Sequence, residues 1–209
     1  MTDHSLLPSR PKLISAAILI LVALAIAAIA LTQWPTKGPI GSGTALIGGP
    51  FTMLNHKGET VTEKNFEGRY TLYFFGYTFC PDVCPTELQV ITAALKELGA
   101  DASKITPVFV SIDPERDTPK IIGEYIANFD SRFVGLTGTP EQLAVMAKAF
   151  HVYYKKETNP KDAQNYGMDH PSILYLMAPD GKFTKHFPYT TDAKNLALGL
   201  KSVLQDAGG

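Results

Sequence analysis

The chain has 209 residues, of which 19 are basic and 20 acidic, and its apolar content of 45% is ordinary for a globular protein. This length suits one globular domain with additional segments. The near balance of charge leaves no basic excess of the kind that nucleic-acid binding requires, so we expect no nucleic-acid partner.

The apolar residues are concentrated near the N-terminus, where residues 13–31 run for 19 positions without a charge. A helix of that length is just under the ~30 Å hydrocarbon core of a bilayer. Arg10 and Lys12 precede the run, and the positive-inside rule keeps that side in the cytoplasm. We therefore predict a cytoplasmic tail (1–12) and a single-pass anchor (13–34) in the inner, cytoplasmic membrane, with the remainder on the periplasmic or an equivalent exported side.

A cleaved signal peptide is the alternative for this segment, with Ala28-Ile29-Ala30 as its cleavage site. The run is longer than the usual signal-peptide core, which favours the anchor. Both interpretations export the domain. Outside the cytoplasm a thiol pair tends to be oxidised unless it is kept reduced or occupied by a metal.

Residues 35–50 are rich in glycine and proline and indicate a linker, and the domain follows at 51–209. Strand and helix signals alternate along it, and residues 157–169 are polar without periodicity. Alternation of this kind predicts an α/β domain with a parallel or mixed sheet and helices on both faces. The predicted strands flank a turn at 55–58 and span 70–76, 105–112, 133–136, 152–155, 172–177 and 182–187; the predicted helices span 85–98, start at 119 and 140, and include 196–203.

The stretch YFFGYTFCPDVCPTEL, residues 73–88, contains the only two cysteines, Cys80 and Cys84. Proline fits the first helical position and disfavours helical geometry at the residue before it, so Pro85 predicts Cys84 at a helix N-cap. Cys80 falls in the loop that leaves strand 70–76. The two sulfurs are thus expected where sites of open α/β sheets lie, and the helix terminus stabilises an anionic sulfur there.

Two chemical interpretations of the cysteine pair remain open. Two thiolates are soft donors that favour Cu(I), although zinc also accepts them, and most metals then need at least one more ligand. The other interpretation is a static disulfide in an exported protein.

Five histidines could supply a third ligand. His170 stands out because it lies where the polar stretch enters strand 172–177, so it faces the cysteine loop if that strand neighbours strand 70–76. Met168 is a possible soft extra ligand but is more typical of packing. The remaining histidines suit other roles: His4 precedes the anchor, His56 and His186 are expected in solvent, and His151 is expected to cap a helix.

Three motifs in order carry a resemblance: FFGYTFCPDVCPTEL at 74–88, VSIDPERDTP at 110–119, and YGMDHPSILYL at 166–176 followed by APDG. Together they resemble the Sco/SenC family over residues 45–205. The resemblance implies a thioredoxin-like fold, with a central mixed sheet flanked by helices, carried on an N-terminal transmembrane helix.

The resemblance also implies one copper ion, Cu(I) or Cu(II), bound by Cys80, Cys84 and His170. It implies a reversible thiol/disulfide state of the cysteine pair and a role in assembling the binuclear copper centre of cytochrome c oxidase. The implied partners are the copper-bearing subunit of that oxidase and an upstream copper donor.

Two functions follow from the same cysteines. A membrane-anchored metallochaperone passes copper on and needs no general base. A thiol-disulfide oxidoreductase that keeps the oxidase cysteines reduced is the alternative, and it does not need His170. A peroxidase is disfavoured because Thr78 and its neighbours do not clearly supply the required pocket.

We also predict structural roles for several residues near the cysteines and His170. Pro171 stands where family members commonly have serine or threonine, and we expect it to be the cis-proline found beside the cysteine loop of thioredoxin-like folds. Asp113 and Asp117 are expected to hold a turn, with Arg116 paired to a carboxylate. Tyr77 and Phe79 are expected to form an apolar rim around the loop.

Overall fold

A computed structural model describes residues 46–159 and 162–206, together with Ala25. The predicted tail (1–12), the anchor (13–34) apart from Ala25, and the linker up to residue 45 lie outside the described residues. Within the described ranges, no helix combines the length and the apolar character that crossing a membrane demands.

Seven strands form one mixed sheet in the order β2-β1-β5-β4-β3-β8-β9, and two more form a separate ribbon, β6-β7. The strands are β1 (Thr52–Asn55), β2 (Thr60–Thr62), β3 (Tyr70–Gly76), β4 (Ile105–Ser111), β5 (Val134–Thr137), β6 (Lys155–Asn159), β7 (Asp162–Asp169), β8 (Ile173–Met177) and β9 (Phe183–Pro188). The helices are α1 (Val83–Leu98), α2 (Pro119–Ile126), α3 (Pro140–Ala149) and α4 (Ala193–Asp206). The α/β prediction with a central mixed sheet is confirmed.

Strand β3 occupies the inner part of the sheet and positions the site. It pairs in parallel with β4 and antiparallel with β8, with Phe74 opposite both Phe109 and Leu174. Its segment YTLYFFG is apolar almost throughout because a strand covered on both faces has no solvent side. The strand predicted at 172–177 therefore neighbours the strand at 70–76, which was the condition for His170 to face the cysteine loop.

Both faces of the sheet are covered, as expected from the alternation of elements. Helix α1 lies over the face that carries Phe74 and Phe109, and it packs against α4. Phe150, directly after α3, packs on Tyr73 and Phe75, which point to the opposite face because successive strand residues alternate.

The start of α1 differs from the prediction. The helix begins at Val83 with Asp82 at the N-cap, so Cys84 is not the N-cap residue but lies within the first turn. The physical reason is that a proline is tolerated anywhere in the first turn, where its missing N–H has no partner to lose. Pro85 therefore did not mark the first helical position.

The predicted irregular stretch 157–169 is wrong, because β6 and β7 form an antiparallel hairpin there, and the strand expected at 152–155 begins only at Lys155. Residues 155–158 of this ribbon are all exposed, so the strand lacks the apolar alternation by which strands are detected. Tyr166 in β7 is buried and attaches the ribbon to the domain.

The expectation of a cis-proline at position 171 is also wrong, because no cis peptide bond occurs within the described ranges and these include His170 and Pro171. The peptide bond between His170 and Pro171, which leads into β8, is therefore trans.

Candidate metal centre

The cysteine loop is held at its base by a buried carboxylate. Asp117, with no exposed surface, accepts hydrogen bonds from the backbone N–H (3.0 Å) and the hydroxyl (2.5 Å) of Thr78, and from the hydroxyl of Ser111 (2.6 Å). Hydrogen bonds to an ionised carboxylate are stronger than those between two neutral groups. They attach the loop leaving β3 to the end of β4, which confirms that Asp117 holds this turn.

The two cysteines converge across the start of α1. Cys84 is fully buried, Cys80 is partly exposed, and both are free thiols. The backbone N–H of Cys84 donates to the Cys80 sulfur at 3.4 Å. A side chain at Gly76 would lie 2.8 Å from the Cys84 sulfur, so glycine there makes room for the thiol.

His170 approaches the pair from the start of β8. Its Nε2 atom lies 3.9 Å from the Cys84 sulfur. The imidazole is held between the rings of Phe74 and Tyr77, at centroid distances of 6.4 and 6.1 Å. The structure thus brings together all three residues that the sequence singled out.

The orientation of the imidazole suits a ligand. Its Nδ1 atom lies 3.3 Å from the carbonyl oxygen of Pro171. A carbonyl oxygen can only accept, so a hydrogen bond there places the proton on Nδ1 and leaves the lone pair of Nε2 directed at the sulfur. Fixing one ring nitrogen in this way is how proteins set the tautomer of a metal-binding histidine.

The thiols differ in acidity because they interact with each other. The neighbouring Cys84 thiol lowers the pKa of Cys80 to about 5, against the opposing effect of burial. The same interaction between the two side chains, followed by burial, raises the pKa of Cys84. Burial lowers the pKa of His170, which favours the neutral imidazole that a metal requires.

An open cavity of about 280 Å³ gives solvent access to the site. It is lined by Tyr77, Cys80, Pro81, Asp82, Val83, Met168, Asp169 and His170. Phe79 beside it is 57% exposed, whereas Tyr77 is buried, so only the first forms a rim toward solvent.

The distances can be compared with those of a metal site. With metal–sulfur and metal–nitrogen bonds of about 2.3 and 2.1 Å, one ion bridges atoms up to about 4.4 Å apart. The Cys84 and His170 atoms lie within that span. As placed, however, no group of three or more His, Cys, Asp or Glu side chains in 46–159 and 162–206 is arranged to hold an ion, so a three-ligand site would require these side chains to rearrange.

The other histidines are not part of this site. The Nδ1 atom of His56 accepts a hydrogen bond from the backbone of Gly135 at 3.2 Å, and burial lowers the pKa of His56, so the expectation of a solvated ring is wrong. His186 is exposed and stacks on Phe183, while His151 is exposed with a positive φ of 55° after α3. His4 lies outside the described residues.

Two features near the site were missed by sequence reasoning. Glu87, one turn after Cys84, is only 1% exposed, and burial raises its pKa to about 7. Its position on the same helix stripe as Leu88 and Ile91 could have indicated burial. The second feature is Tyr166, which lies against Arg116 from a segment expected to be irregular. The ion pair of Arg116 with Asp113 is confirmed.

Comparisons with known proteins give a consistent result. The family model described as SCO1/SenC matches residues 41–205. The human "Protein SCO1 homolog, mitochondrial" is 44% identical over 148 residues, which is 69% of this chain and 48% of that protein. The chain thus spans about half the length of this curated relative.

Solved structures agree over the described domain. Bradyrhizobium japonicum ScoI, solved with copper bound, is 42% identical with a TM-score of 0.69, covering 75% of this chain and 98% of that one. BsSco, reported with a disulfide switch as a member of the Sco family of cytochrome c oxidase assembly proteins, is 27% identical with a TM-score of 0.59, covering 77% and 94%. The expected thioredoxin-like Sco fold is confirmed.

Proposed function

The chain belongs to the SCO1/SenC family, and on that premise we propose that it is a membrane-anchored copper metallochaperone. It binds one copper ion, as Cu(I) or Cu(II), through Cys80, Cys84 and His170. It passes the ion to the copper-bearing subunit of cytochrome c oxidase and so helps to assemble the binuclear copper site.

The observation that carries this proposal is the 3.9 Å separation of the His170 Nε2 atom from the Cys84 sulfur. The Cys80 sulfur lies beside them, where it accepts a hydrogen bond from the backbone N–H of Cys84. Two soft sulfurs and one imidazole favour copper over the hard cations that prefer oxygen. A similar protein has been solved with copper bound.

Copper is cargo in this function, so the site must both hold and release it. The partly exposed Cys80 and His170 both border the open cavity, while Cys84 is fully buried behind them. An acceptor thiolate can therefore reach the ion from the Cys80 side and replace one ligand at a time. The predicted anchor (13–34) keeps donor and acceptor in one membrane and raises their effective concentration.

A specific observation also favours the second function, thiol-disulfide exchange. Cys80 combines solvent access with a lowered pKa, which is the property of an attacking thiol. Its thiolate would attack one sulfur of a disulfide in the partner, forming a mixed disulfide and releasing the partner's other sulfur as a thiolate. The Cys84 thiol would then lose its proton, attack the Cys80 sulfur and release the partner's remaining sulfur, so that the partner is reduced by two electrons and Cys80 and Cys84 are joined in a disulfide.

Copper titration of the purified full-length protein tests the proposal. We expect one equivalent of Cu(I) to bind the reduced protein and none to bind the oxidised protein with comparable affinity. Both Cys80→Ser and Cys84→Ser should abolish copper binding and disulfide exchange. Copper delivery that survives in either variant would remove the two-thiolate site from consideration.

A further inference from the structure

The side chain of Arg116 makes non-covalent contacts with three segments that are distant in sequence. Its Nε atom donates to the Oδ2 atom of Asp113 (2.5 Å), and its Nη1 atom donates to the carbonyl oxygen of Tyr166 (3.1 Å). The guanidinium carbon lies 3.6 Å from the ring centroid of Tyr166 and 4.6 Å from that of Phe79. One side chain thus contacts the cysteine loop, the loop after β4 and the β6-β7 ribbon.

Two of the residues that Arg116 contacts, Asp113 and Tyr166, also bind each other. The hydroxyl of Tyr166 donates to the Oδ1 atom of Asp113 at 2.8 Å, so both oxygens of this buried carboxylate are used. The Arg116 side chain is only 17% exposed, so its ion pair is less weakened by water than a surface pair. A planar cation stacked on aromatic rings adds to the attraction.

The ribbon depends on these side-chain contacts. In the described part of the chain, β6 and β7 pair only with each other and not with the seven-stranded sheet. Lys156 provides another link, over the ring of Tyr166 at 3.8 Å and to Glu115 at 2.6 Å, but that pair is exposed and contributes little.

The ribbon leads directly into the site. Strand β7 ends at Asp169, and His170 is the next residue. The ring of Tyr77 contacts both groups, with the guanidinium carbon 5.8 Å and the His170 ring 6.1 Å from its centroid. A displacement of the ribbon would therefore move the imidazole relative to the sulfurs.

We propose that Arg116 is a positioning residue that holds the β6-β7 ribbon against the cysteine loop and so keeps His170 within reach of Cys84. This proposal rests on the proposed copper function for its effect, but the attachment of the ribbon is independent of any metal. Lysine cannot replace arginine here, because a point charge cannot stack on Tyr166 while it donates in two directions.

The first measurement uses the reduced, metal-free full-length protein. In Arg116→Ala we expect amide hydrogen exchange in residues 155–169 to accelerate by about tenfold or more, since local opening follows the loss of tertiary contacts. Arg132→Ala is the matched control, because Arg132 makes a similar pair with Asp130, at 2.7 and 2.6 Å, in another loop. Unchanged exchange in the ribbon of Arg116→Ala would overturn the proposal.

The second measurement is Cu(I) affinity by chelator competition. We expect a loss of about 10- to 100-fold in both Arg116→Ala and Arg116→Lys, as is usual for groups that orient a ligand, and less than about threefold in Arg132→Ala. Because Arg116 acts through His170, the double variant Arg116→Ala/His170→Ala should bind no more weakly than His170→Ala alone. Additive losses would contradict a positioning role.

The two proposals fail in different ways. If the wild-type protein binds no Cu(I), the proposed function fails while hydrogen exchange still decides whether Arg116 holds the ribbon. If Arg116→Ala does not fold, Arg116→Lys replaces it in the exchange measurement, because lysine keeps a positive charge beside Asp113 but loses the planar contact with Tyr166. Faster exchange in its ribbon supports the proposal, and unchanged exchange opposes it.

Discussion

The Nε2 atom of His170 lies 3.9 Å from the sulfur of Cys84, although the two residues are 86 positions apart. The antiparallel pairing of β8 with β3 produces this approach, because it places the first residues before β8 beside the loop that leaves β3. The ligand set itself stays a prediction, and the variants below test it.

Removal of the imidazole should separate the two functions. In His170→Ala we expect the affinity for Cu(I) to fall by more than about 100-fold, since even groups that only orient a ligand are worth about 10- to 100-fold. Disulfide exchange should persist, because both thiols remain. His186→Ala is the matched control, as its exposed ring stacks on Phe183 in β9. Unchanged copper affinity in His170→Ala would refute the ligand assignment.

The acidity of Cys80 should be visible in its alkylation by iodoacetamide. With a pKa of about 5, Cys80 is already a thiolate at pH 6. In the reduced, metal-free protein its rate should therefore change little between pH 6 and 8, whereas an ordinary thiol accelerates by nearly 100-fold over about the same interval. Site-resolved mass spectrometry gives the rates.

The same experiment on Cys84→Ala tests the cause of that acidity. The interaction with the Cys84 side chain is the largest contribution to the lowered pKa of Cys80. Without it we expect the pKa of Cys80 to rise and its alkylation at pH 6 to slow. An unchanged rate profile would show that the backbone of α1, rather than the second thiol, stabilises the thiolate.

Local patterns were sufficient for much of the fold. The apolar run of β3 was located with the bounds observed, and the predicted helix starts at 119 and 140 are those of α2 and α3, because a helix start depends on a few adjacent residues, here the capping hydroxyls of Thr118 and Thr139. The proximity of Cys80, Cys84 and His170 was expected once β3 and β8 were assumed to be neighbours.

What failed depends on tertiary contacts. The β6-β7 ribbon is exposed along 155–158 and attached through Tyr166, so no local periodicity reveals it. The first turn of α1 extends before Pro85 to Val83, and Asp82 at the N-cap makes no side-chain capping bond that a sequence pattern could have indicated. The contact between Arg116 and Tyr166 joins positions 50 residues apart and has no sequence signature.

The anchoring of the cysteine loop by Asp117 predicts a loss of stability in Asp117→Asn. The amide provides only one acceptor oxygen in place of two, so the bonds from Thr78 and Ser111 cannot all be kept. We expect the free energy of unfolding to fall by about 2 to 3 kcal/mol, the usual value of bonds to a buried charged group. Urea denaturation measures it.

The control for that variant is Asp180→Asn, because Asp180 pairs with Lys182 at the surface in a turn between β8 and β9. We expect this change to alter the urea midpoint little. Equal destabilisation by the two substitutions would mean that the bonds to Thr78 and Ser111 contribute no more than a surface pair.

Glu87 predicts a pH dependence of stability with a defined sign. Burial raises the pKa of Glu87 from 4.5 to about 7, so between these values the folded protein keeps a proton that the unfolded chain releases. The contribution of Glu87 to stability is therefore fully present below pH 4.5 and is lost as the pH rises through 7. The loss by pH 8 is on the order of 3 kcal/mol.

Replacement by a neutral isostere should remove this dependence. Relative to the wild type, Glu87→Gln should gain stability progressively between pH 5 and 8 in urea denaturation, because glutamine does not ionise. Glu97→Gln is the control on the same helix, since Glu97 is exposed. If the profiles of Glu87→Gln and the wild type run parallel across this range, Glu87 does not titrate as a buried acid.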